Sequence, residues 1–134
     1  MKKKMLMDSK YTSLLKGLNE IQTTPTWAKK IGLFLRENVR VQKEVFEFRN
    51  NLFAKRGIDP KNGTLTPEQA KEIETEFAAH CAEDAVMTPL HLVFEDVDLR
   101  LTGSIYNDLM DLQDQVQGAL SLVDKTPGPK DIAV

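Results

Sequence analysis

The chain has 134 residues, 41% of them hydrophobic and 28% charged, which suits one soluble domain with a real core and excludes a chain disordered throughout or a low-complexity polymer. A net charge of −2 and a single cysteine, Cys81, exclude an intrachain disulfide and a strongly basic nucleic-acid binder. That charge hides an asymmetry: residues 1–56 hold 13 Lys/Arg against 5 Asp/Glu, and residues 57–134 hold 5 against 15. Such halves either fold against each other or present an anion-binding face, and the first is the commoner outcome. MKKKMLMDSK lacks the apolar run of a secretory leader, and no stretch reaches the roughly 20 apolar residues of a membrane span. The expected location is the cytoplasm, or the host cytoplasm if a phage encodes the chain.

The first helix is expected from about Ser9 to Ile21, with Tyr11, Leu14, Leu18 and Ile21 at helical steps and Asp8 or Ser9 capping it. Thr24-Pro25 ends it and starts a second helix running to about Arg56, closed by Gly57 as a left-handed cap. At 1.5 Å per residue that helix is roughly 48 Å long, far beyond the roughly 14 Å radius of gyration of a compact domain of this size. Its seam is Trp27, Ile31, Phe34, Val41, Val45, Phe48 and Leu52, broken by Asn38. Asn38 suits either the register-fixing position of an oligomer or a polar site within one chain. Leu35, Val39, Phe46 and Phe53 form a second, flanking stripe, read here as an interface that favours a homo-oligomer.

Asp59-Pro60-Lys61-Asn62-Gly63 reads as a turn without the oxygen ligands of a calcium loop. Thr66-Pro67-Glu68-Gln69 is a capping box opening a third helix to about Asp84, with Ala70, Ile73, Phe77 and Cys81 or Ala82 inward. Between residues 86 and 101 the pattern turns β-like, with one or two short strands and Pro89 at a strand start. Thr102 or Ser104 caps a last helix bearing Ile105, Leu109, Leu112, Val116 and Ala119 or Leu120, loosened at Gly118. The expected fold is mainly α: an elongated helical hairpin or bundle built on the long helix (about 25–56), with a small β element (about 86–101). Residues 1–124 form one helical domain and 125–134 a flexible tail. In this scheme the first and third helices double back along the two halves of the rod, and the last helix covers part of its second face.

Little in the chain suggests catalysis. His80 and Cys81 point about 100° apart on a helix, and Glu76 with His80 lacks the Glu-x-x-His spacing of helical di-metal sites, so no metal or cofactor is expected. No glycine-rich phosphate loop or nucleophile elbow occurs. The acidic run of Glu95, Asp96 and Asp98 reads as a solvated strand face. The one candidate ligand surface is the basic face of the long helix, formed by Lys30, Arg36, Arg40, Lys43 and Arg49, with Arg36 and Arg40 one turn apart. A small anionic ligand suits it, whereas duplex nucleic acid is not expected because Glu37, Glu44 and Glu47 are interspersed.

The succession "LLKGLNEI", "AKKIGLFLRENVRVQKEVFEFRNNLFAKRG", "DPKNG", "EFAAHCAEDAV", "VFEDVDLRL" and "IYNDLMDL" resembles a family of small bacteriophage proteins known only as a domain of unknown function. The resemblance spans roughly residues 12 to 116. It implies a leucine-rich first helix, a long charged helix, a short extended segment and a closing helix, and it brings no catalytic residues. It also implies a role in particle assembly, or else inhibition of host defence by binding a host protein or sequestering an anionic nucleotide signal.

Overall fold

The computed structural model describes residues 1–93, 96, 99–116 and 118–123. A 3-10 helix, Lys3–Met7, precedes α1 (Ser9–Glu20), α2 (Pro25–Ala54) and α3 (Pro67–Cys81); β1 (Leu90–Val93), α4 (Gly103–Val116) and β2 (Leu120–Val123) follow. The fold is mainly α around one long helix, as the periodicity predicts. The expected tail, 125–134, and Glu95, Val97 and Asp98 of the expected strand lie outside the described residues.

Caps explain most of the boundaries. Asp8 accepts hydrogen bonds from the Lys10 and Tyr11 amides and starts α1. Thr24 sits at the N-cap of α2 but its side chain makes no cap bond, contrary to expectation, and Pro25 with its preset φ opens the helix instead. At the far end Gly57 has φ +67°, the Gly57 amide donates to Ala54 and the Ile58 amide to Phe53. This is the Schellman arrangement, and it satisfies carbonyls that the helix end leaves open. Thr66 and Gln69 close the capping box of α3 in both directions. The α3 helix stops at Cys81, earlier than expected.

The core seam of α2 is buried along its length except for half-buried Phe48. Tyr11, Leu14 and Leu18 of α1 cover its first half. Ile73 of α3 packs with Leu52 and Phe53 on its second half, and Phe77 bridges this small cluster to the main core. The doubling-back of both helices is therefore observed. Ala70, expected to face inward, is exposed in the first turn of α3.

Two elements were placed differently by the sequence. The last helix packs on α1 and β2 rather than on the second face of α2. That flank of α2 is met instead by the N-terminal 3-10 helix, where Gln42 Nε2 donates to the Leu6 carbonyl at 3.4 Å and Met5 and Leu6 are buried. Leu120 leaves the helix altogether. It opens β2, which pairs in parallel with β1 in the register Leu90↔Leu120 to Val93↔Val123. Parallel strands need a crossover, and α4 supplies it. Gly118, at φ +92°, makes the turn from helix to strand.

The two charged halves meet within the chain. Lys2 pairs with Asp84, Lys3 with Glu83, Lys10 with Asp111, and Arg56 with both Glu72 and Glu76, at 2.9 to 3.4 Å. These pairs are largely exposed and individually worth little, so they set the docking of 3-10 helix, α3 and α4 more than the stability.

Candidate functional site

Between the flank met by the 3-10 helix and the side where the 85–89 segment attaches, one strip of α2 stays exposed. Arg36, Val39, Arg40, Lys43, Phe46 and Glu47 are all exposed, at steps of three and four residues. Val39 is 50% and Phe46 47% exposed, in a helix whose other large apolar residues, Leu33 apart, are buried or half-buried. Of the expected interface stripe, these two remain on the surface. Phe53 is corrected to the chain's own core, 6% exposed beneath α3, and Leu35 is half-buried against the main cluster. Leu35 and Phe53 lie on the same side of α2, about five turns apart, and Phe53 is buried because α3 covers that end of the helix.

The five expected ligand-binding cations do not gather into one site. Lys30 Nζ lies 4.9 Å from the Trp27 ring centroid, and the Trp27 indole N–H donates to Asp96 Oδ2 at 3.1 Å. Arg49 stacks on Phe53 at 4.9 Å, on a different flank. The Arg40 guanidinium donates to Glu44 Oε1 at 3.0 Å and to the Val86 carbonyl at 3.1 Å, which ties the 85–89 segment to α2. Glu37 completes that attachment through the Thr88 amide, 2.7 Å, and hydroxyl, 3.0 Å. Arg36 and Lys43 are left on the outer face with no ion pair among the described residues. The two-forked grip expected of Arg36 with Arg40 would require Arg40 to release Val86.

Asn38 is 2% exposed and bonded within its own chain. The Tyr11 hydroxyl donates to its Oδ1 at 2.6 Å, and its Nδ2 donates to the Phe34 carbonyl at 2.8 Å. Burial pushes the Tyr11 phenol well above its ordinary value, with the Asn38 bond opposing. Of the two roles the sequence left open for Asn38, the intrachain one is therefore observed: its Oδ1 is used across the α1–α2 contact and its Nδ2 within α2.

Other chemistry-bearing groups are engaged structurally. The His80 ring stacks on Phe48, with centroids 3.9 Å apart, and its Nδ1 lies 3.6 Å from Glu83. Glu76 turns to Arg56, away from His80. Cys81 is buried, and that burial raises its thiol above the ordinary range while Lys3 pulls the other way. A cleft of about 600 Å³ between the end of α1 and the start of α4 carries Lys16 and Arg100 together with Glu20 and Asp108, charges of both signs. Among the described residues no three His, Cys, Asp or Glu side chains are grouped to hold a metal, and no helix is long and apolar enough to cross a membrane. No protein-family model, curated protein or solved structure matches the chain.

Proposed function

We propose that the chain is a non-enzymatic accessory protein that acts by associating with copies of itself through the outer face of α2. The observation that carries this is the exposure of Val39 and Phe46, two turns apart on one line of the longest helix. Single exposed apolar residues need no explanation, and what favours a partner here is that this pair is aligned on one helix face and rimmed by charges. Covering Phe46 is worth roughly 1.5–3 kcal/mol, enough to matter in a small contact. The resemblance to phage proteins makes particle assembly the setting in which such a helix would work.

A second reading, anion capture in an anti-defence role, has in its favour Arg36 and Lys43, outer-face cations with no ion pair among the described residues. Native mass spectrometry on gently purified protein separates the two. Multimers of bare 15.2 kDa chains support assembly. Added small-molecule mass, lost on denaturation, transfers the proposal to anion capture. A bare monomer across all concentrations refutes self-association. Phe46→Glu should abolish the multimer without altering helical content.

A further inference from the structure

We infer that the partner surface of α2 is a second copy of α2 laid antiparallel, with Phe46 of each subunit under Arg36 of the other. The inference rests on the self-association reading above and specifies its geometry. At 100° per residue, Lys29, Gly32, Arg36, Val39, Lys43, Phe46 and Asn50 fall on one outward line at alternating steps of three and four, the spacing of a two-helix seam. All are exposed except half-buried Gly32.

Charge decides the direction. A parallel pair in register would stack Lys29, Arg36 and Lys43 each on its own copy, three like-charge layers in one short seam. An antiparallel pair centred near Val41 brings together residues whose numbers add to about 82. Val39 then meets the methylenes of Lys43 of the partner subunit, which keeps its ammonium at the rim. Phe46 meets the guanidinium of Arg36 of the partner subunit, a cation–π contact, and Glu47 beside it is within reach of the same arginine; the same offset sets Lys43 near Arg40 of the partner subunit, whose charge Glu44 already offsets at 3.0 Å. The twofold repeats each contact.

Gly32 fits the same register. It lies inside a helix, where glycine costs about 1 kcal/mol against alanine, yet beyond the local helix backbone none of the described residues lies within 4 Å of where its Cβ would be. No packing among the described residues asks for glycine there. In the antiparallel seam it faces Asn50 of the partner subunit and lets the two backbones approach.

Arg36 and Glu47 are eleven residues apart, about 16 Å along the helix, so they cannot pair within one subunit. Arg36→Glu and Glu47→Arg should each weaken the dimer about tenfold or more in sedimentation equilibrium, and the double swap should recover most of the loss. Both side chains are exposed, so folding should persist in each variant. For the direction, Gly32→Cys and Asn50→Cys proteins are treated with a short bis-maleimide. Cross-linking of their mixture, with little in Asn50→Cys alone, is the expected result; buried Cys81 stays out of reach. Efficient cross-linking of Asn50→Cys alone, or a double swap no better than the single ones, overturns the antiparallel register while self-association stands. A wild-type monomer at about 100 µM overturns both.

Discussion

Removing the Tyr11 hydroxyl tests the polar contact that fixes α1 on α2. Tyr11 is fully buried, and its hydroxyl is the donor to Asn38 Oδ1 at 2.6 Å. Tyr11→Phe removes one oxygen, leaves the ring packed, and strands a buried amide oxygen. Stranding such a group costs about 1–3 kcal/mol, more than the net worth of an ordinary hydrogen bond. Asn38→Leu should cost as much or more, since it orphans the Tyr11 hydroxyl and takes away the side-chain donor to the Phe34 carbonyl. In the double variant the hydroxyl and the amide are both gone, so its loss should fall short of the sum of the singles by about 1 kcal/mol or more. Urea unfolding followed by the fluorescence of Trp27, the one tryptophan and 5% exposed, reads the midpoint and slope. A Tyr11→Phe loss under about 0.5 kcal/mol, or strict additivity in the cycle, would refute the claim that this bond anchors the two helices. A change in oligomer size in Asn38→Leu would show that Asn38 also specifies the assembly.

Thr66→Ala removes the acceptor of the Gln69 amide at 3.2 Å and should cost about 1 kcal/mol, with faster amide exchange confined to the first turn of α3; Thr66→Ser should restore most of it. Cys81, buried and with its thiol raised by that burial, should react with a water-soluble disulfide reagent roughly a hundredfold or more slower than a free thiol until denaturant opens the fold. A fast native reaction would mean that the 3-10 helix and α3 part readily. The Glu83 carboxyl is held below its ordinary 4.5, first by its hydrogen bond from Lys3 and then by the charge of that ammonium. A lowered carboxyl lends stability that is complete above its unfolded value and is lost as pH falls through the folded one. The urea midpoint should therefore decline below about pH 4.5, and Lys3→Gln should shallow that decline; an unchanged acid slope in Lys3→Gln would remove Lys3–Glu83 from the account.

Local chemistry made the helices legible. Asp8, Pro25, Gly57 and the Thr66–Gln69 box mark boundaries because they satisfy or preset backbone groups within a few residues, and the 3.6-residue period of Trp27, Ile31, Phe34, Val41 and Val45 defines the face of α2 that must be buried. The length of α2 and its coverage by a short and a longer helix followed from the same arithmetic. What only the tertiary structure decided depends on which distant atoms arrive. Leu120–Val123 is a strand because Leu90–Val93 lies beside it, a pairing 30 residues apart that a four-residue segment cannot announce. Met5 and Leu6 are core because α2 offers them a flank. Phe53 lost its place at the surface, and Arg40 its freedom as an anion ligand, to α3 and to the Val86 carbonyl. By itself, then, the sequence determined where the helices run and which face each must hide. The assembled fold decided which residues were left over, Arg36, Val39, Lys43, Phe46 and Glu47 among them, because exposure is a property of the neighbours and not of the residue.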